Sequence, residues 1–527
     1  MRIKKNKLFI IGIDGATFDL LDPWFHKGEL PNLYRLKKEG SYGNLQTVPN
    51  LHSAAAWTSI VTGKNPGKHG IFFFIERDRE LHYRFYTGAD RKAETIWNIL
   101  SKIGKKVGIV NVPMTFPAEP VNGIMVSGLD SPSIKDKRSV YPQNLKDKYK
   151  ILKDEYDIVP SVQILLQKDK PDKAVEKWLD IASYRAEFCK QLLKDCSSDF
   201  FMVTFTITDW AHHNLWKYFD SGYPLYEKGK AKKFGHLMLK VYKKMDSIIG
   251  ELIDFIGSDT NVFIVSDHGA GKHQHGSYYL VDWLIESNFM RLKERKRLEN
   301  INNELFRKLL YFSKKIAPDK LKKSIKKNFP QLRNKFREEI GLNIFNFIDW
   351  SKTKAYTEYK WHNIWINLKG REKYGIVNPG EEYQELCYTL KTELLNWKNE
   401  TTGRQVVNRV FHKSEIYSGP YIYRAPDLQI WWNDDVVVTY KERKFFSKIS
   451  TKIEEGWSGD HRLNGIFIAW GPHIKKGVML NNLSVYDVAP TALYLLDAPI
   501  PSGVDGKIIK EAISDKFLRR NFTTNNK

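Results

Sequence analysis

Cysteine is nearly absent: Cys189, Cys196 and Cys387 are the only three among 527 residues. So sparse and odd a set is a poor disulfide framework, and none of the three sits at a cysteine-type zinc spacing, so a reducing compartment is expected. Long apolar runs are also missing, and no stretch is long enough to cross a bilayer. The opening "MRIKKNKLFIIGIDG" sets basic residues before an apolar run, but Asp14 ends that run without a small-residue cleavage site. That pattern predicts a first β-strand rather than a leader. A soluble, cytoplasmic protein is expected, with peripheral membrane contact left open. Two phosphate-binding signatures fail as well. "GKNPGKHG" misses the Walker spacing and carries His69 where Ser or Thr is required, and "GIDGAT" lacks the dinucleotide glycine spacing.

Acidic residues are outnumbered, 61 against 84 Lys and Arg, which leaves a net charge of +23. The excess crowds into residues 291–337, where it suits an anionic substrate, a phospholipid surface, nucleic acid or a solvated face of amphipathic helices. Charge does not choose among them. What the chain does have is 42% hydrophobic and 13% aromatic residues, enough for a globular core with ring-lined clefts.

Short apolar runs at 8–13, 107–112, 200–206, 262–265, 364–368, 428–432 and 466–470 alternate with helical patterns such as "ETIWNILSKIG" and "FGHLMLKVYKKMDSIIGELIDFIG". Buried strands alternating with amphipathic helices predict an α/β fold, a mainly parallel sheet with helices on both faces. Residues 286–345, with Pro318 and Pro330, break this pattern and are expected as a basic helical cap insertion. Residues 1–285 and 346–515 would then form the two parts of the core, and 516–527 a tail. Residues 72–92 and 131–180 are irregular and charged, and would decorate the same face.

Ligands of such sheets sit at the carboxyl ends of the strands. Asp14, Asp209 and the pair Asp267-His268 each follow a predicted strand, and His461 in "SGDHRLNGIFIAWG" precedes another. The four-residue spacing of Asp209 and His213 in "TDWAHHNLW" puts both on one helix face, within reach of one cation. Adjacent Asp267 and His268 can diverge toward two ions. Three Asp and three His are a mixed oxygen and nitrogen set suited to zinc-like ions. Ser53 opens the small-residue run "SAAAWTSIVTG", where it is either a nucleophile held near helix N-terminal amides or only a helix cap. Spacing alone leaves the two readings even. His212, His273 and His275 are further histidines near the same corners, suited to protonating a leaving group or to ordinary surface roles.

This order of residues resembles the alkaline phosphatase superfamily, and within it the type I phosphodiesterase/nucleotide pyrophosphatase branch. The segments "LPNLYRLKKEGSYG", "AWTSIVTGKNPGKHGI", "FIDWSKTKAY", "INLKGREKYGIV", "APDLQI" and "VYDVAPTALYLLDAPIPSGVDGK" extend the likeness over nearly the whole chain. The resemblance implies an alkaline-phosphatase-like three-layer α/β/α core and two divalent metal ions, zinc with manganese as the alternative. It implies that Asp209, His213 and His461 hold one ion, and that Asp14, Asp267 and His268 hold the other beside Ser53. Ser53 stands nine residues before Thr62 of the Thr-Gly pair, where the family's nucleophile stands. The implied reaction is in-line displacement through a covalent Ser53 intermediate on a small phosphorylated or nucleotide substrate. The Cys-x-Pro-x-Arg signature of sulfatases is absent, as is an arginine matching the phosphate-binding one of classical alkaline phosphatases, which favours diesters. Substrate-binding residues are not readable. The alternatives are a phosphomonoesterase, phosphomutase or phospho-group transferase on the same site, and an inactive protein whose basic cap binds an anionic lipid, polysaccharide or, less favoured, nucleic acid.

Overall fold

The computed structural model describes residues 6–81, 83–154, 156–160, 162–293, 345, 348–358, 362–438 and 457–524. The expected basic cap therefore falls largely outside the described residues. Among the described residues, eighteen strands are numbered in chain order. The main sheet contains β1 (Leu8–Ile13), β2 (Ser41–Gln46), β5 (Val107–Val112), β6 (Gly123–Ser127), β7 (Val140–Tyr141), β8 (Phe200–Phe205), β9 (Asn261–Val265), β16 (Asn464–Trp470), β17 (Val478–Met479) and β18 (Leu483–Ser484). Their order is β17-β2-β16-β9-β1-β8-β5-β6-β7, with β18 also on β2. Strands β9, β1, β8, β5 and β6 run parallel, while β16 runs against both of its neighbours and β7 against β6.

Alternation along β1 builds the layers. Phe9, Ile11 and Ile13 join one buried cluster, with residues of the helices Pro31–Glu39, Pro171–Asp195, Ile207–Phe219 and Leu237–Ile256. Leu8 and Ile10 join another, with the helices Ser53–Thr62, Ile96–Lys102 and Val488–Leu495. Successive side chains of a strand point to opposite faces, so a strand apolar at every position must be covered on both. The result is the expected three-layer α/β/α core with a mainly parallel sheet.

Two of the apolar runs lie elsewhere. Ile364 to Leu368 and Leu428 to Trp432 supply β12 (Asn363–Ile366) and β14 (Leu428–Trp432) of a separate antiparallel sheet. It is completed by β11 (Ala355–Tyr356) and β13 (Val407–His412), in the order β11-β12-β14-β13. This sheet packs with the helices Gly276–Glu286 and Glu381–Leu395 around its own apolar cluster, which includes Trp283, Trp397 and Trp432. Two small ladders complete the strands: β3 (Ile75–Arg77) with β4 (Tyr83–Phe85), and β10 (Gly269–Lys272) with β15 (Gly459–Arg462). The expected tail begins with the helix Asp515–Thr524, whose Phe517 is buried in the second cluster.

Candidate active site

Register brings the chemistry together. Ile13 pairs with Phe205 and Gly12 with Val265, so β1, β8 and β9 end at one level. Asp14 follows directly. Asp209 stands in the first turn of the Ile207–Phe219 helix, and Asp267 and His268 follow β9. Antiparallel β16 begins at that same rim, and β15, just before it, pairs His461 with Ala270 of β10. Strand β2 also ends there, with Gln46 opposite Asn464, and the helix Ser53–Thr62 follows. His52 is the cap of that helix, its Nδ1 accepting from the Ala54 N–H, so the Ser53 hydroxyl is not used as a cap.

The six acidic and imidazole residues fall into two groups, Asp209-His213-His461 and Asp14-Asp267-His268, each with ligand atoms within 4.8 Å of one another. His213 Nε2 lies 3.2 Å from Asp209 Oδ1 and 3.2 Å from His461 Nε2. His268 Nε2 lies 3.4 Å from both Asp14 Oδ1 and Asp267 Oδ2. The Ser53 hydroxyl is 3.0 Å from His268 Nε2, which places it on the second group. The rings of His268 and His461 stack at 3.7 Å and join the two.

The histidine tautomers follow from their outer partners. His213 Nδ1 faces the Gly459 carbonyl at 2.8 Å, His268 Nδ1 that of Gly269 at 2.8 Å, and His461 Nδ1 that of Leu51 at 2.6 Å. A carbonyl oxygen only accepts, so each Nδ1 carries a proton and each Nε2 faces the site. Leu51 adopts a left-handed φ of 51° to present that carbonyl.

The site is short of positive charge. Asp14 Oδ2 accepts from Trp57 Nε1 at 3.2 Å and Asp267 Oδ1 from the Gly15 amide at 3.4 Å, but Asp14 Oδ1 and Asp267 Oδ2 are buried without a hydrogen-bond partner. Burial, then the charges of Asp267 and Asp209, pushes the Asp14 carboxyl well above its usual range, and burial likewise raises Asp267. Burial and the nearby His461 hold the His268 imidazole down to about 3. For His461, burial works downward but the hydrogen bond and charge of Asp209 outweigh it, raising the group to about 9. Orphaned carboxylate oxygens beside inward imidazole nitrogens fit two divalent cations, one of which would replace the proton on His461 Nε2, since unpaired buried charge is costly.

A cavity of about 540 Å³ opens over Ser53 and Asp209. Its walls are aromatic (Phe73, Phe74, Trp210 and Trp457), and among its described lining residues there is no Lys or Arg. Three polar residues on these walls, Asp460, His362 and Gln429, were not legible beforehand. Asp460 had a signal, because "GDHR" repeats the Asp-His pair of "SDHG"; His362 and Gln429 had none. Asp460 Oδ2 stands 3.5 Å from His273 Nε2 and 3.6 Å from His362 Nε2. Of the extra histidines, only His273 lines the cavity. His212 is buried against Tyr242, and His275 bonds Tyr223.

Among known proteins, the family model for type I phosphodiesterase/nucleotide pyrophosphatase matches residues 8–459. The chain is similar in structure to murine ectonucleotide pyrophosphatase/phosphodiesterase 5, at TM-score 0.51 and 12% identity, covering 97% of this chain and 100% of that one. An inactive form of the murine protein in complex with AMP matches equally well. The human counterpart matches at TM-score 0.50 and 14% identity, with the same coverage. No curated protein sequence matches the chain significantly.

Proposed function

Since the chain belongs to the type I phosphodiesterase/nucleotide pyrophosphatase family and is a phosphoric ester hydrolase, we propose that it cleaves phosphodiester or nucleotide pyrophosphate bonds through a covalent intermediate on Ser53. The observation that carries this is the Ser53 hydroxyl, 3.0 Å from His268 Nε2, beside two buried carboxylate oxygens with no hydrogen-bond partner. Asp209, His213 and His461 would hold one divalent ion, and Asp14, Asp267 and His268 the other, zinc or manganese by donor type. Two such ions supply the positive charge that favours serine ionisation and offsets charge on the phosphoryl oxygens.

The Ser53 oxygen forms a bond to phosphorus as the bond to the leaving oxygen breaks, and the hydroxyl proton passes to solvent. Water then attacks the same phosphorus, the bond to Ser53 breaks and the hydroxyl is restored. Trp57 holds Asp14, and the carbonyls of Gly459, Gly269 and Leu51 hold the three imidazoles, so the site is oriented before substrate arrives. A cavity wall without Lys or Arg suits a singly charged diester better than a doubly charged monoester. The AMP complex of the murine neighbour suggests a nucleotide, and the ring-lined walls suit a base. The lobe of β11 to β14 acts as a substrate-facing cap, because His362, Asn363 and Gln429 line the cavity.

Among the described residues no helix is long and apolar enough to cross a membrane. The test is the relative rate on bis-p-nitrophenyl phosphate, p-nitrophenyl phosphate and nucleotide sugars after zinc or manganese loading. Turnover of the diester and the nucleotide is expected; turnover of the monoester alone would sink the reading.

A further inference from the structure

A second cavity, of about 630 Å³, adjoins the first and shares Leu51, His362 and His461 with it. It is walled on one side by Gln46, Thr47 and Pro49 at the end of β2, and on the other by Arg409, Phe411 and Trp431 of the smaller sheet. Arg409 and Phe411 are two apart on β13 and share a face, and Arg409 pairs across to Trp431. Phe411 and Trp431 meet edge to face at 4.8 Å and give this wall an apolar surface.

Three observations say what this space is for. First, of the six cation-facing residues only His461, a member of the group away from Ser53, lines it, and Ser53 does not. It therefore lies on the side of the cation group that does not hold the nucleophile. In an in-line displacement, attacking and leaving oxygens stand on opposite sides of phosphorus, so the leaving group departs toward this cavity. Second, its two arginines differ. Arg462 Nε is paired to Asp434 at 2.7 Å, whereas Arg409 makes no ion pair among the described residues. Third, the hydroxyl of Thr47, a residue only 4% exposed, has no hydrogen-bond partner. A guanidinium and a spare hydroxyl on the two walls of one cavity make a receptor for an oxyanion.

We propose that the second cavity is the leaving-group subsite and that Arg409 and Thr47 make it select a leaving group carrying its own phosphate. This rests on the hydrolase reading above and deepens it. A nucleoside triphosphate or nucleotide sugar would place the reacting phosphorus at Ser53, one arm between the aromatic walls, and the departing phosphate against Arg409.

The test compares a nucleoside triphosphate with the p-nitrophenyl ester of the corresponding nucleoside monophosphate, using the zinc-loaded full chain. For Arg409→Ala, the ratio of kcat/KM between triphosphate and ester should fall about tenfold. Arg409→Lys should recover part of that, and Thr47→Val should lower the ratio severalfold. An unchanged ratio, or a parallel fall for both substrates, overturns the subsite. Independently, calorimetric binding of inorganic pyrophosphate to Ser53→Ala protein should weaken at least severalfold when Arg409→Ala is added; equal binding overturns the proposal. Wild-type protein that hydrolyses neither substrate fails the parent reading instead, and the pyrophosphate titration still decides the subsite.

Discussion

Ser53 and Trp57 sit one helical turn apart, and each touches a different part of the same cation group: Ser53 reaches His268, while Trp57 holds Asp14. Replacing Ser53 by Ala removes the attacking atom and its contact with His268 while leaving all six cation-facing side chains in the chain. Turnover of bis-p-nitrophenyl phosphate should fall about a thousandfold or more, while bound metal, read by elemental analysis, stays at two per chain. Loss of metal together with activity would move Ser53 from nucleophile to ligand support. Trp57→Phe keeps the ring but deletes the N–H donated to Asp14. Partners of metal-binding side chains are worth roughly 10- to 100-fold in affinity, so metal release to a competing chelator should strengthen by about tenfold, and unchanged affinity would count against this role. Gly12 belongs to the same assembly, because a Cβ there would stand 2.4 Å from Trp57 Cη2.

At the scale of elements, several of the segments that carry the family resemblance prove to be locks rather than reactive parts. Arg371 of "INLKGREKYGIV" makes a bidentate contact with Asp427 of "APDLQI", at 2.8 and 2.6 Å, joining the loop after β12 to the residue before β14. Lys413, Tyr383 and the Ile366 amide also converge on Asp427, at 2.8, 2.8 and 2.7 Å. Burial alone would raise this carboxyl, but Arg371 and Lys413 hold it far below the usual range. Its folded value lies under the unfolded one of about 3.9. The stabilisation is therefore complete above that pH and lost as pH falls through it toward the folded value. Asp427→Asn removes the carboxylate shared by Arg371 and Lys413, leaving Arg371 only the Glu372 carboxylate at 2.9 Å among the described residues, and should cost about 3 kcal/mol at neutral pH. Denaturant titrations of both proteins should show this difference shrinking below about pH 4; a pH-independent difference would refute the ionic account. A comparable lock ties "GKNPGKHG" to "PSGVDGK", with Asp505 accepting from the Asn65 amide at 2.7 Å and its side chain at 3.0 Å.

For the whole molecule, the two cation groups gather residues from four places in the chain, between Asp14 and His461, onto one rim. An ion that binds only this folded arrangement stabilises it by about 2.7 kcal/mol per site at a hundred times its dissociation constant. Chelation should therefore lower Tm by several degrees, and zinc or manganese should restore it, as calorimetry would show. A Tm indifferent to chelator would mean the carboxylates hold no ion.

The sequence by itself determined the three-layer plan, because continuous apolar runs such as "LFIIGI" can be satisfied only by a strand covered on both faces. It also marked the six acidic and imidazole residues, since each lies beside a strand end or helix start, whereas Ser53 stood out from a helix cap only through the family resemblance. Tertiary structure alone decided the rest. Whether an apolar run joins the parallel sheet or a second sheet depends on which neighbours bury it, so the strands at 363–366 and 428–432 read like those of the core. Asp460, His362 and Arg409 carry no local signal of comparable strength. Asp460 and His362 line the cavity over Ser53, and Arg409 the adjoining one, only because separate segments fold over the same rim, a placement fixed by long-range packing rather than by periodicity.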